Sequence, residues 1–255
     1  MNFSLANRPK KDIWVATAFL VVCALLVFAA FWAYHQFITT PPYVDPDRFP
    51  VRGIDVSAHN GEIDFKKVAD SGVDFVFIKA TEGKDFKDKN FRQNYDKASQ
   101  AGLKKGAYHF FRFDRDGVDQ ALNLLKAVGN RHPELGLVID VEESGNVDSI
   151  PHDVIMTRLS EMVDYLNLLG HRVMFYTNRD GYYKYLADTF PGYPLWICGF
   201  SQNPIYAEWT IWQFNHHGRV DGIKGDVDLN AFCGSKAEWK RYLNGDVWPY
   251  TVPKQ

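Results

Sequence analysis

Two kinds of apolar pattern divide the chain. Residues 13–34 run without one charged side chain, and at 1.5 Å of helical rise such a stretch reaches about 33 Å, enough to cross the hydrocarbon core of a bilayer. Beyond residue 50 the apolar positions come in short runs, rich in β-branched and aromatic residues, separated by longer polar stretches with helical spacing. The first pattern predicts a transmembrane helix, and the second predicts alternating strands and helices.

Eight runs read as strands: 52–57, 75–81, 105–111, 136–142, 173–177, 195–200, 210–215 and 227–232. Helical stretches fall between the early ones, at 64–71 with Asp64 as N-cap, 88–102, 117–129 and 151–169. After Thr177 the helices shrink. Eight largely parallel strands in roughly 195 residues predict an α/β fold of the TIM type, a compact barrel trimmed of helices in its last third, more than an open doubly wound sheet. The sequence carries no repeat of 20 to 50 residues and no low-complexity tract.

The organisation expected is a cytoplasmic N-terminus (1–12), an anchor (13–34), a proline-rich linker (35–50), the barrel (51–245) and a C-terminal tail (246–255). Pro41, Pro42, Pro46 and Pro50 make the linker read as a stiff, extended spacer that lifts the barrel off the membrane. Arg8, Lys10 and Lys11 precede the span, and no Lys or Arg follows it until Arg48. That bias places the N-terminus in the cytoplasm and the barrel in a periplasmic or extracellular space. A cleaved secretory signal shares the basic start, but its apolar region is shorter, and Trp32 and Tyr34 suit an uncleaved helix end at a membrane interface. Either reading exports the barrel.

Composition narrows the partners. The chain has 255 residues, 46% hydrophobic and 24% charged, enough for one large core. A formal net charge of -2 and a pI near 6.4 give no electrostatic reason to expect nucleic acid. Beyond the span, 26 basic residues face 30 acidic ones, so bulk charge would not capture a polyanion either. Cys23 lies within the span, which leaves Cys198 and Cys233 as a disulfide or as two buried thiols.

In a barrel of this type, catalytic groups belong at the C-terminal ends of the strands. Four acids fall there: Asp55, Asp140, Glu142 and Asp228. Strand side chains alternate, so Asp140 and Glu142 point the same way around Val141. Two carboxyls side by side against an apolar strand cannot both ionise cheaply; one pKa should rise while the other stays low. An acid beside an anion suits glycoside cleavage. Taken alone, Asp-x-Glu at a strand end also reads as a surface or metal-binding pair, Asp55 as a turn residue, and Asp228 as a loop acid. Other chemistry finds little support: His216 and His217 lack a spaced partner set for zinc, and no phosphate-binding loop or dinucleotide fingerprint is present. No metal and no cofactor is expected.

Longer segments carry more. Arg52-Gly53-Ile54-Asp55-Val56-Ser57, Phe77-Ile78-Lys79-Ala80-Thr81-Glu82-Gly83, Gly106-Ala107-Tyr108-His109-Phe110 and Ile139-Asp140-Val141-Glu142 are followed by Phe175-Tyr176-Thr177, Leu195-Trp196-Ile197, Trp212-Gln213-Phe214 and Asp226-Val227-Asp228-Leu229-Asn230. In this order and spacing they resemble the glycoside hydrolase family 25 lysozymes, the Chalaropsis-type muramidases, over nearly all of the region beyond the span. The resemblance implies a (β/α)5(β)3 barrel that cuts the β-1,4 bond between N-acetylmuramic acid and N-acetylglucosamine in peptidoglycan glycan strands, and a monomer is expected.

It further implies Glu142 as general acid, Asp140 as the group supporting the positive centre or orienting the 2-acetamido arm, and Asp55 and Asp228 as flanking acids. Glu82, Tyr108, Tyr176, Trp196 and Gln213 look like a sugar-binding wall, since aromatic faces pack on pyranose rings and amides bond their substituents; Trp196 and Tyr176 also read as core residues. One departure stands in the first loop, where Asn60 replaces the glutamine common in the family. The attacking group is open between the substrate's acetamido oxygen and a carboxylate, with substrate assistance preferred. Two other readings remain: a non-catalytic wall-binding module, and a chitinase-like hydrolase, against which the absence of a longer acidic run before Glu142 speaks.

Overall fold

The computed structural model describes residues 10–39, 42–200 and 203–246, in two units, Met1–Pro41 and Pro42–Gln255. The first holds α1, Lys10–Thr39. Its stretch Trp14–Trp32 is long and apolar enough to cross a membrane, by length and composition. The helix runs five residues beyond the expected span, into the expected linker. Residues 1–9 of the expected cytoplasmic terminus, and all of the expected tail except Asp246, lie outside the described residues.

The second unit is built on β1 (Arg52–Val56), β2 (Phe75–Glu82), β3 (Phe86–Lys87), β4 (Lys104–Phe110), β5 (Leu137–Asp140), β6 (Val173–Asn178), β7 (Leu195–Cys198), β8 (Ile211–Gly218) and β9 (Val227–Phe232). β1 pairs in parallel with β2 and antiparallel with β9, which closes an eight-stranded barrel in the order β1-β2-β4-β5-β6-β7-β8-β9. Only β9 runs against its neighbours; β3 is a two-residue flap on the end of β2. The helices α2 (Phe65–Asp70), α3 (Phe91–Gln100), α4 (Gly117–Val128) and α5 (His152–Leu168) cover the early strands. After β6 come only α6 (Arg179–Gly181) and a π-helical turn (Tyr182–Leu186), and α7 (Lys236–Asn244) ends the described chain. This is the (β/α)5(β)3 arrangement, with every expected strand present.

Two apolar cores follow from strand alternation. The outward side chains and the helices form one; the barrel interior forms the other, from Phe75, Phe77, Val138, Met174, Trp196, Ile211 and Phe232. Space for its aromatics comes from two glycines. A Cβ on Gly53 would meet the Phe75 ring at 2.2 Å, and one on Gly106 would meet Phe77 at 2.3 Å. Phe77 stacks on Trp196 at 4.3 Å. Trp239 and Tyr242 of α7 seal the N-terminal end of the barrel, with Trp239 5.2 Å from Phe75 and 5.0 Å from Phe232.

The linker reading changes over its second half. Val44 and Phe49 are buried, Arg52 Nη2 donates to the Val44 carbonyl at 2.8 Å, and Phe49 packs on Trp209 and Trp212. Residues 44–50 are therefore part of the barrel's shell. The cysteine question closes as well: Cys198 and Cys233 are free thiols. Cys198 pairs with Gln213, whereas Cys233 lies at the level of Thr210, one strand further on. Three residues of strand rise separate these levels by about 10 Å, beyond disulfide reach.

Candidate active site

The inward positions change character toward the C-terminal ends of the strands. Above the aromatic layer sits a layer of amides and hydroxyls. Trp196 Nε1 donates to Asn230 Oδ1 at 2.7 Å, and the Tyr176 hydroxyl donates to Gln213 Oε1 at 2.8 Å. Because an indole only donates, Asn230 must turn its NH2 the other way. It does so toward Asp55: Asn230 Nδ2 and Gln213 Nε2 both donate to Asp55 Oδ2 at 2.9 Å. Burial pushes the Asp55 carboxyl up to about 6, against the pull of these two bonds.

Asp228 stands directly opposite Asp55 in the β1–β9 pairing. Burial, and then the charge of Asp55, push it up to about 8. On the other side of the barrel, Asp140 ends β5. It is 6% exposed, and its Oδ1 is buried without a hydrogen-bond partner. Burial and the neighbouring Glu142 charge drive it well above the usual carboxylate range, with the Lys79 ammonium opposing.

Glu142 follows just past the strand, half-buried, and is raised by burial and by Asp55, again against Lys79. Its segment is pinned on both sides. Val141 N donates to the Tyr176 carbonyl at 2.9 Å, the Val141 carbonyl accepts from Thr177 Oγ1 at 2.7 Å, and the Glu142 carbonyl accepts from Asn146 Nδ2 at 2.8 Å. The expected split, one carboxyl raised and one left low, is replaced by a shared rise: all four acids sit in a poorly hydrated site and repel one another.

The other expected site residues spread over three depths. Tyr108 is half-buried among the acids, its hydroxyl held well above its usual range by burial and the charges of Asp55, Asp140 and Asp228. Tyr176 and Gln213 lie behind Asp55, Gln213 bonded to it and Tyr176 bonded to Gln213. Trp196, 2% exposed, is floor rather than wall, because Phe77 covers its face. Glu82 sits at the rim, ion-paired with Lys79 at 2.9 Å and Arg112 at 3.4 Å. Asn60 caps its own turn, its Oδ1 accepting from Ser57 N at 2.9 Å, so this amide serves the loop's shape.

Two residues with a part in the site had no role assigned from sequence: Asn230 and Lys79. Both follow from period-two alternation, Asn230 two positions after Asp228 and Lys79 two after Phe77. Lys79 Nζ also lies 5.3 Å from the centre of the Phe110 ring, which helps to hold a cation at 15% side-chain exposure. Among the described residues no group of three or more His, Cys, Asp or Glu could hold a metal ion.

A closed barrel whose C-terminal mouth gathers four carboxyl groups, two of them at one strand end, has the layout of a barrel enzyme's active site. Comparison with known proteins makes this specific. Residues 54–223 match the family described as glycosyl hydrolases family 25, and the chain belongs to that family. Over 184 residues it is 36% identical to the autolytic lysozyme of Clostridium acetobutylicum, covering 71% of this chain and 56% of that one. Lysozyme M1 of Streptomyces globisporus is 33% identical over 255 residues, 91% of this chain and 83% of that one. Among solved structures, a family 25 glycosyl hydrolase from Bacillus anthracis superposes with a TM-score of 0.72 at 32% identity, covering 80% of this chain and 97% of that one.

Proposed function

We propose that the chain is a membrane-anchored muramidase that cuts the β-1,4 bond between N-acetylmuramic acid and N-acetylglucosamine, with Glu142 as general acid and the substrate's own acetamido group as nucleophile. The observation that carries this reading is the orphaned, buried Oδ1 of Asp140 beside Glu142. A buried acceptor without a donor is costly. An acetamido N–H brought in by the substrate supplies the missing donor and aims the acetamido oxygen at the anomeric carbon.

In the first step the Glu142 proton goes to the glycosidic oxygen as the C1–O bond breaks, and the acetamido oxygen closes onto C1. The incoming N–H favours the ionised form of Asp140, and that carboxylate balances the positive charge that develops there. In the second step the Glu142 carboxylate takes a proton from water, whose oxygen attacks C1 and reopens the acetamido group. Two acids at one strand edge supply donor and stabiliser on the same side of the sugar, which favours substrate assistance over attack by a carboxylate.

The anchor reading rests on the apolar run 13–34 and the basic residues before it. It places residues 1–12 in the cytoplasm, residues 13–34 across the bilayer and the barrel on the side where peptidoglycan lies. Detergent alone should extract the full-length band from cells; a shortened soluble band would refute the anchor.

The test of the chemistry is a reducing-end assay with the detergent-solubilised full chain. New muramic-acid reducing ends should appear from peptidoglycan and disappear with Glu142→Gln. No release by the wild-type chain favours the wall-binding module, and comparable release from chitin favours the chitinase-like enzyme.

A further inference from the structure

The stretch of the barrel mouth that lacks full helices carries an aromatic group outside the acid site. β5, β6 and β7 are adjacent and parallel, so the segments leaving their C-terminal ends emerge side by side on one face. The first carries Glu142, the second the π-helical turn with Tyr182 and Tyr183, and the third reaches Tyr206. Tyr183 and Tyr206 lie 6.0 Å apart with their planes inclined by only 36°, and Tyr182 meets them at 5.3 and 6.3 Å. Arg179 lies 5.5 Å from the centre of the Tyr206 ring. Tyr183 is 54% exposed.

This group is built into the site's frame. Gly181, at the root of the turn, sits so close to Thr177 that a Cβ would meet its Oγ1 at 2.1 Å. That same Oγ1 donates to the Val141 carbonyl, one residue before Glu142. Asn178 Oδ1 caps the turn by accepting from Gly181 N at 2.9 Å. Lys184 and Tyr185 of the turn both bond Glu143, the residue after Glu142. A π-turn is costly to keep without a use and recurs at functional sites. Here it fixes two tyrosines relative to the acid segment from both of its flanks.

We propose that Tyr183 and Tyr206, with Arg179, form a further glycan subsite that stacks a pyranose ring outside the two sugars flanking the cleaved bond. The occupant is the continuation of the same polymer. A glycan strand cut internally must leave the acid site across the barrel mouth, and these tyrosines lie on the segments that leave that mouth at the ends of β6 and β7. Aromatic faces meet the C–H face of a pyranose, and the guanidinium serves its hydroxyl and acetamido oxygens. The class of ligand rests on the muramidase reading; the placement of the rings does not.

The test uses the detergent-solubilised full chain. In the Glu142→Gln background, Tyr183→Ala with Tyr206→Ala should weaken sedimentation with peptidoglycan sacculi about tenfold, as loss of two stacking faces implies. Tyr183→Trp, which keeps a face, should hold binding near the parent's. Peptide-free glycan strands should show the same dependence; if it vanishes there, the tyrosines grip stem peptide and the sugar assignment is overturned. With Glu142 intact, kcat/KM on sacculi should fall about tenfold more than on a tetrasaccharide fragment, and equal losses would overturn the proposal. A chain that releases no reducing ends yet still loses sacculus binding with these tyrosines defeats the muramidase reading alone.

Discussion

The two ends of the barrel interior are made by the same eight strands under opposite rules. At the N-terminal end Phe75, Phe77, Phe232 and Trp239 fill the space ring against ring, and each such side chain contributes roughly 1.5–3 kcal/mol by leaving water. Two or three residues further along, the inward positions hold Asp55, Asp140, Asn230 and Gln213, and the four acids Asp55, Asp140, Glu142 and Asp228 all have raised pKa values. A raised carboxyl pKa means that ionisation works against folding. One end stabilises the fold, and the other draws on that stability to hold acids where water would not leave them protonated. Substitutions at the two ends should separate accordingly.

The largest effect expected is on rate. Glu142→Gln keeps the shape and removes the transferable proton, so kcat should fall by about 10³-fold, within the range general acids contribute. The thermal midpoint should hold or rise slightly, since a half-buried charge is gone. A kcat within tenfold of wild type would remove Glu142 from the donor role. Next comes Trp196→Ala, which strikes the layer where the ends meet. Losing the Phe77 stack and the bond to Asn230 should destabilise by about 3–5 kcal/mol, read as a fall of roughly 10 °C in Tm. An unchanged Tm would contradict the assignment of Trp196 to the floor.

That assignment also shows what was legible in sequence. The eight strands were, because alternation and β-branched runs are local signals; the four acids were, because strand ends can be counted. The depth of Trp196 was not, since it depends on Phe77, 119 positions away, filling space that Gly106 leaves open. The packing of Phe49 on Trp209 and Trp212 was hidden for the same reason, behind prolines that read locally as a spacer. The shared rise of the carboxyl pKa values escaped because the sequence pairs Asp140 with Glu142 but cannot display Asp55 and Asp228 face to face across β1 and β9.

A smaller effect tests the amide layer between the two ends. Gln213 and Asn230 hold Asp55 below the value burial alone would set. In Gln213→Leu one of these donors is lost, so the Asp55 pKa should rise above about 6. A bond to a charged group is worth about 1.5 kcal/mol, or about one pH unit. If ionised Asp55 serves the reaction, the acidic limb of the kcat/KM profile should move to higher pH by up to that amount, and Asn230→Leu should move it the same way. A limb that stays put in both variants would detach Asp55 from the chemistry.

The smallest effect is a gain. The Asp228 carboxyl has a folded pKa of about 8, against an ordinary value of 3.8. Between those values the folded chain holds a proton that the unfolded chain has released, so stability falls as pH climbs from about 4 to about 8 and then levels. Asn cannot ionise and removes this slope. Because Asp228 is only half-buried, water screens much of the penalty, and Asp228→Asn should stabilise by on the order of 1 kcal/mol at pH 8, raising Tm by about 2–4 °C. Near pH 2.5 the difference should vanish, since wild type is then protonated in both states. Melting curves at the two pH values decide: a variant less stable at pH 8, or equally shifted at both, would show that Asp228 is held by its contacts rather than strained by its charge. If the gain appears together with a loss of activity, the mouth of this barrel keeps a destabilising carboxylate that its fold would be better without, and the contrast with the aromatic end is one of function against stability.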